Sequence, residues 1–448
     1  MKVLHLNQRD DGGAGRAMIR LHQGLRVAGI NSLAHVQVKV TNEEGVSSPQ
    51  SALGKLSAKL KLSEHLDNLP LRLYPERDNR HFSLQHFPDS LASVVEAINP
   101  DIVHLHWVSG GFLRLESLKN FKRPLVWTLH DMWTFTGGCH YNDGCENYKD
   151  TCGNCPALKS HKKNDLSNWV WKRKNRAWKN LDLTIVTPSK WMAGCVRESS
   201  LLKNCRTEVI HNGLDTNAFK PIDRATARNL MNLPDDKHLV LFGAANPLDT
   251  RKGMHLLLQA LHQLHHSGMN DRIELLVFGG TAANPIPDVD FRVNYLGRLT
   301  DDISLALAYS AADVFIAPSL EDNLPNTLVE ALACGTPGVA FNVGGIPDII
   351  DHKHNGYLAT AFEPDSLAHG IEWTLKATNR NEQLRINSHQ KAERMFGLAA
   401  QAQSHMALYG EILSKAVAAK SYLPEIPNPL RLACRNGFGI SADAIAAH

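Results

Sequence analysis

Residues 318–347, PSLEDNLPNTLVEALACGTPGVAFNVGGIP, put two acids, Glu321 and Asp322, in a polar loop and a third, Glu330, in the apolar-patterned segment that follows. Pro318 closes a β-type run, Asn326 stands where a helix cap is expected, and Gly335 stands where that helix stops. Asp322 then lies just before the helix and Glu330 inside it, both near its N-terminal end. Such an end offers unpaired N–H groups, here of the first turn with Asn326 and Thr327, and a partial positive charge. It is an anion site. A carboxylate beside an anion site suits a ligand with both phosphates and sugar hydroxyls. A capped helix with a solvated acid fits the same letters equally well.

A second stretch with chemistry in it is residues 139–155, CHYNDGCENYKDTCGNC, which holds four of the eight cysteines in the spacing C-x5-C-x6-C-x2-C. Only the last pair has the tight spacing of a zinc knuckle. Gly137, Gly138, Asn142, Asp143 and Gly144 mark a loop over 137–156, and a long loop needs a fastener. The preferred reading is a structural Zn2+ held by Cys139, Cys145, Cys152 and Cys155. Unligated thiols come second and disulfides third. A four-thiolate site leaves no open coordination position, so catalysis by these cysteines is not expected.

The elements that must position these groups alternate between strand and helix. Val3–Leu6 is a short apolar run followed by Gly12, Gly13 and Gly15, then by Met18, Leu21 and Leu25 on one helical face and Gly29 as a stop. Further buried-strand candidates are Asp101–His106, Leu125–Leu129 and Leu183–Thr187. A second series runs Leu239–Gly243, Leu275–Phe278, Val293–Leu296, Val314–Ala317 and Val339–Phe341. Two such series predict an α/β chain of two doubly wound, Rossmann-like parallel-sheet domains facing a cleft. The junction is expected in VIHNGLDTNAFKP, residues 209–221. The expected division is 1–210, 211–395 and a C-terminal helix and tail over 396–448.

Composition bounds the rest. The 448 residues carry 43% hydrophobic and 21% charged side chains, which fits a folded soluble protein. A net charge of +3 gives no electrostatic footprint for nucleic acid. The opening MKVLHLNQRDDGG reads as a strand, not a signal peptide, and no apolar run approaches the ~18–20 residues of a membrane span. A reducing cytoplasm is expected, where clustered cysteines are more often metal ligands than disulfides.

In the order of its motifs, the chain resembles glycosyltransferase family 4, retaining enzymes of the GT-B fold. PSLEDNLPN is similar to that family's donor-site pattern Pro-Ser-x-x-Glu-Gly-Phe-Gly-Leu, with a second Glu eight positions after the first. VIHNGLDTNAFKP is similar to its interdomain segment, and DTRKGMHLLLQAL to its phosphate-binding loop and following helix. VNYLGRLTDDISLALAYSAADVFIAPS is similar to its base-binding region, and TPSKWM and GGIPD also have counterparts. The run Trp-Thr-Phe-Thr-Gly-Gly-Cys resembles a subset of bacterial enzymes that make colanic-acid-like exopolysaccharides. The resemblance implies that Glu330 holds the ribose hydroxyls, Asp322 the donor sugar, and Arg251 and Lys252 the diphosphate. It also implies that Leu299 meets the base through main-chain atoms, that the Gly12–Gly13 loop approaches the phosphates, and that His130 faces the donor sugar. It implies a nucleotide-sugar donor, a glycan or lipid-linked acceptor, no cofactor for catalysis, and retention without an enzymic nucleophile.

The sequence also departs from the family pattern. Asp322 is one methylene shorter than Glu, Pro325 replaces the second Gly, and Ala244 stands where an Arg often follows the strand-end Gly. Rival readings are a GT-B sugar-nucleotide epimerase, a non-catalytic sugar-nucleotide-binding module, a zinc-containing nucleic-acid binder and an NAD oxidoreductase. The last lacks a full G-x-G-x-x-G. His104 and His106 read as strand residues with satisfied side chains. Residues 169–179, with Trp169, Trp171, Trp178 and five Lys or Arg, read as a solvated basic helix face. Together with LGKLSAKLKL at 53–62, that helix gives an expectation of weak peripheral contact with the inner face of an anionic membrane.

Overall fold

The computed structural model describes residues 1–49, 62–243, 249–279, 290–376 and 378–421. Ala244, nearly all of 53–62 and the tail from 422 onward fall outside them.

Seven strands form the first sheet: β1 (Lys2–Arg9), β2 (Asn31–Val38), β3 (Val46–Ser47), β4 (Ile102–Leu105), β5 (Leu125–Thr128), β6 (Leu183–Thr187) and β7 (Arg206–Val209). Their order is β3-β2-β1-β4-β5-β6-β7, and every pairing is parallel. Six more form the second sheet: β8 (His238–Gly243), β9 (Ile273–Phe278), β10 (Val293–Gly297), β11 (Val314–Ala317), β12 (Gly338–Phe341) and β13 (Gly356–Ala359). Their order is β10-β9-β8-β11-β12-β13, again all parallel. The expected pair of doubly wound domains is what the chain builds, a GT-B-type α/β fold with a central cleft. Central strands such as LVWT of β5 and VFIA of β11 are buried along their whole length, because helices cover both faces.

The helix Gly12–Val27 follows β1 directly and lays Met18, Leu21 and Leu25 into the core. Gly12 and Gly13 are therefore its first turn rather than a free loop. The last helix, Leu398–Ser421, returns to the first sheet. Ala402, Leu408 and Tyr409 pack with Val3, Leu25, Ile102 and Val126. Alternation along β1 puts His5 on the same face as Val3, and register pairs His5 with His104 of β4. His106 follows β4 on that same face, one residue beyond the strand.

The helix Leu166–Trp178 keeps only part of the expected solvated basic face: Lys172, Arg176 and the neighbouring Lys179 are exposed, and the other two cations turn inward. Lys174 has 0% exposure and Trp178 is buried. Arg173 pairs with Glu116 at 2.8 Å and donates to the carbonyls of Leu84 and Gln85. Two of the five cations thus serve inside the protein and three stay on the solvent side. Among the described residues, no helix is long and apolar enough to cross a membrane.

Candidate active site in the interdomain cleft

The site groups stand at the carboxyl ends of strands, where a doubly wound sheet leaves its crevice. β11 ends at Ala317 and runs into the loop carrying Glu321 and Asp322. The helix Asn326–Ala333 then starts behind Pro325, with no side chain capping it. Asn326 is thus the first helical residue and not the cap that the sequence indicates. Its amide instead reaches across the cleft and donates to the Gly13 carbonyl at 3.1 Å. That bond brings the N-terminal ends of two helices, one from each domain, face to face. A Cβ added at Gly12 or Gly13 would meet nothing within 4 Å, so the surface there is open.

The loop Asp249–Gly253 brings Arg251 and Lys252 onto Asp322. Lys252 Nζ donates to Asp322 Oδ2 at 2.6 Å, and Arg251 Nη1 lies 3.6 Å from the same oxygen. Arg251 Nη1 also donates to the Glu321 carbonyl at 2.9 Å. Gly253 makes this approach feasible: its φ is +70°, and a Cβ there would stand 1.8 Å from the Pro318 carbonyl oxygen. On the other side, a Cβ at Gly345 would stand 1.7 Å from the Asn323 carbonyl oxygen, and Gly345 N–H donates to the Asp322 carbonyl. Asp322 is 6% exposed. Burial favours its neutral form, but Lys252 and Arg251 outweigh that and hold it below the usual carboxylate range. Glu321, which lacks so close a cation, is pushed up by burial to about 7.

Glu330 is 2% exposed and fully engaged. Arg20 of the first helix donates to Oε1 at 2.7 Å, and the Tyr309 hydroxyl donates to Oε2 at 3.0 Å. Arg16, one turn earlier, pairs with Asp302 at 2.5 Å and lies 3.9 Å from Glu330. The structure therefore shows the carboxylate held by the opposite domain. Thr327 is half-buried in the same first turn as Asn326, and Leu299 is half-buried in the loop after β10, packed on the core that includes Tyr309.

His130 follows β5. Burial drives its pKa down to about 4, so it is neutral at pH 7. Its Nε2 meets His106 Nδ1 at 3.2 Å, and His106 Nε2 meets His5 Nδ1 at 3.0 Å. His104 bonds Tyr409 at 2.6 Å and Thr128 at 2.8 Å. The satisfied side chains expected for His104 and His106 are thus present. Asn323, which the sequence reading did not single out, donates to the carbonyls of Leu129 at 2.8 Å and His130 at 3.2 Å and accepts from Ser189 at 2.7 Å. Asp131 accepts from Trp107 at 2.7 Å and from His140 at 2.6 Å. Beyond His140, the Tyr141 ring lies 4.5 Å from the Arg251 guanidinium carbon, and Asp143 N–H points at Glu321 at 3.4 Å.

The cysteines come together, though not as a closed metal centre. Cys139, Cys145, Cys152 and Cys155 line one small cavity, and all are free thiols. Among the described residues, the one set of three or more side chains with ligand atoms within 4.8 Å of one another is His5, His104 and His106. That histidine cluster could hold a metal ion, but five of its six ring nitrogens already have hydrogen-bond partners outside or within the trio, and only His5 Nε2 has none.

Residues 11–218 match the family model described as Glycosyltransferase Family 4, and residues 236–377 match the one described as Glycosyl transferases group 1. The chain is a family 4-like glycosyltransferase of the GT-B fold. It is related to bacterial exopolysaccharide glycosyltransferases. A protein of Escherichia coli (strain K12) described as a colanic acid biosynthesis glycosyl transferase, WcaC, is 28% identical over 377 residues, covering 78% of this chain and 85% of that one. A D-inositol 3-phosphate glycosyltransferase of Mycobacterium tuberculosis (strain H37Ra) is 31% identical over 187 residues, 38% of this chain and 36% of that one. Two solved structures share the glycosyltransferase's fold. Sucrose-phosphate synthase from Thermosynechococcus elongatus has a TM-score of 0.66 at 20% identity, covering 93% of this chain and 100% of that one. HepE from Anabaena, solved with UDP and glucose, has a TM-score of 0.62 at 19% identity, covering 92% and 100%.

Proposed function

We propose that this glycosyltransferase moves a hexosyl group, with retention, from a nucleotide diphosphate sugar to a glycan or lipid-linked acceptor in bacterial surface polysaccharide synthesis. The observation that carries the reading is the convergence of Arg251, Lys252, Asp322 and two helix N-terminal ends in one interdomain cleft. Breaking a sugar–diphosphate bond builds negative charge on the leaving group. Fixed cations and helix N–H groups aimed at that charge stabilise it by roughly 3–4 kcal/mol for each well-placed donor. Arg251 supplies a forked contact and Lys252 a point charge. Both lie on Asp322, so a diphosphate would draw them from one anion to another without moving them out of the cleft.

In this reading Asp322 and neutral His130 hold the donor sugar, Glu330 takes the ribose hydroxyls, and Leu299 meets the base through its backbone. The first turns of both helices, with Gly12, Gly13, Asn326 and Thr327, face the phosphates. Residues 1–210 form the acceptor domain and 211–395 the donor domain. The enzyme works in the cytoplasm at the inner face of the membrane. The likeness to enzymes named for UDP, glucose and colanic acid supports the donor class and the pathway class. Calorimetric titration of UDP-, GDP- and ADP-sugars tests the reading. One class should bind, and Glu330→Ala should weaken it by ~1.5–3 kcal/mol, the value of a charged hydrogen bond. Binding of none, or binding unchanged by Glu330→Ala, would overturn it.

A further inference from the structure

The four clustered cysteines have no part in the cleft chemistry, yet the fold equips them for a particular state. A neutral thiol is a poor hydrogen-bond acceptor, whereas a thiolate is a strong one. One donor nevertheless meets a sulfur directly, and the backbone around the others is fixed. Gly137 N–H points at Cys152 Sγ at 3.1 Å. The backbone of Cys155 is pinned: its N–H donates to Asp165 at 2.9 Å and its carbonyl accepts from the N–H groups of Leu158 and Ser160. The Thr136 hydroxyl donates to the Cys139 carbonyl at 2.5 Å. A buried cation lies alongside as well: Lys174 Nζ donates to the carbonyls of Trp133 and Thr136, and Thr136 lines the same small cavity as the four cysteines. Four cysteines around one small cavity, a backbone N–H aimed at a sulfur and a buried cation alongside suit a set of thiolates better than four neutral thiols.

A divalent cation coordinated by such sulfurs deprotonates them outright.

We propose that Cys139, Cys145, Cys152 and Cys155 bind one zinc ion, and that the zinc site fastens the segment His140–Asp143 against the donor loop. The ion meets four thiols, each thiol releases its proton to solvent, and a four-coordinate zinc tetrathiolate of net charge −2 forms beside Lys174. Sulfurs at a Zn–S distance of ~2.3 Å stand about 3.8 Å apart. Since no three of them lie within 4.8 Å of one another, metal binding draws them inward. The histidine cluster is the weaker candidate, because five of its six nitrogens are taken by Tyr409, Thr128, His130 and one another.

The consequence for the cleft follows from where the ligands fall. Cys139 and Cys145 bracket His140, Tyr141 and Asp143. Those three contact Asp131, Arg251 and Glu321 respectively. This second clause rests on the donor-site reading given above, whereas the metal site does not.

The test is the metal content of the full-length chain, purified under reducing conditions and measured by mass spectrometry. About one zinc per chain is expected, falling below about a tenth in Cys152→Ser and in Cys145→Ser and staying in His5→Gln. Should the cysteine variants fail to fold, two wild-type measurements serve instead. Mercurial titration should release the zinc in step with four thiols, and the cobalt-substituted protein should show thiolate-to-cobalt charge-transfer bands. Metal-free wild-type protein that stays metal-free when refolded with zinc overturns the proposal. So does a cobalt spectrum without sulfur charge transfer, or zinc lost in His5→Gln and kept in the cysteine variants. Titration of UDP, GDP and ADP on the same samples separates the two readings: zinc present with none of the three bound leaves the metal site standing and removes the donor site.

Discussion

Glu330 is offered as the ribose-binding carboxylate, yet Arg20 from the opposite domain already holds it at 2.7 Å. A nucleotide can use Glu330 only by taking it from Arg20. Removing Arg20 should therefore tighten nucleotide binding. Arg20→Met is the suitable change, because it keeps the stem beside Phe219, whose ring centre lies 5.4 Å from the guanidinium carbon, and deletes the charge. Deleting one partner of a buried ion pair usually costs about 3–5 kcal/mol. Here Tyr309 still donates to Glu330 at 3.0 Å and Arg16 stands 3.9 Å away, so we expect a stability loss of about 2 kcal/mol in urea denaturation. Without its competitor, Glu330 should give the ribose about 1.5 kcal/mol more, roughly a tenfold lower Kd. The assay is calorimetric titration with whichever of UDP, GDP or ADP binds tightest, on wild type, Arg20→Met, Glu330→Gln and the double variant. The gain should vanish in the double variant, whose affinity should match Glu330→Gln alone. Weaker binding in Arg20→Met, with or without Glu330, would refute the reasoning and make Arg20 a nucleotide contact.

Other expectations follow from the same geometry. Asp322 has a depressed pKa, so its pairing contributes stability above the unfolded value of about 3.9 and loses it as pH falls through the folded value. Lys252→Met should raise the pH of that loss in acid-unfolding curves. His405 is 1% exposed and held down to about 4 by burial, so its contribution is full above about pH 6.5 and is lost as pH falls towards 4. The cost at pH 5 is about 2 kcal/mol, and His405→Gln should flatten the urea midpoint against pH by that much. Tyr141→Ala removes the ring beneath Arg251 and should weaken nucleotide-sugar binding by about 0.5–2 kcal/mol, while Tyr141→Phe should not.

Much of the fold is legible in the sequence because parallel strands covered on both faces read as unbroken apolar runs. LVWT, LTIVT and VFIA announce themselves. NSLAHVQV and RTEV do not, because they lie toward the sheet edge and keep polar residues at half-buried positions. The acids of the cleft are legible for a related reason: Asp322 and Glu330 belong to one strand–loop–helix unit, so their spacing encodes their placement. Arg16, Arg20, Asn323 and Tyr141 are not, because each acquires its partner from the other domain. No local pattern marks a helical arginine whose carboxylate lies 310 residues away. Lys174 was misread for the opposite reason. Its neighbours are basic and its helix looks solvated, and only the loop that folds over it supplies the carbonyls it serves.

The contacts across the cleft fall into two kinds. Arg20 to Glu330, Asn326 to Gly13, Asn323 to the carbonyls of Leu129 and His130, and Lys190 N–H to Asp348 at 2.7 Å are polar, and a ligand or water can replace each of them. Polar interdomain faces of this kind are the ones that separate. The other contact is apolar and far from the cleft chemistry: the helix Leu398–Ser421 buries Ala402, Leu408 and Tyr409 on the first sheet. The chain crosses between domains near 209–221 and again near 397, and these crossings are tied together. Leu214 N–H donates to the Phe396 carbonyl at 2.7 Å, and Leu398 N–H to the Leu214 carbonyl at 3.1 Å. An opening that broke the apolar contact would expose core surface, whereas one that exchanged the polar set would cost little more than the ligand returns. Such an opening would turn about the two paired crossings, and four of the groups proposed to hold the donor, Gly13, His130, Asn326 and Glu330, also hold the domains together without it. Arg20→Met tests this equivalence at its most buried point.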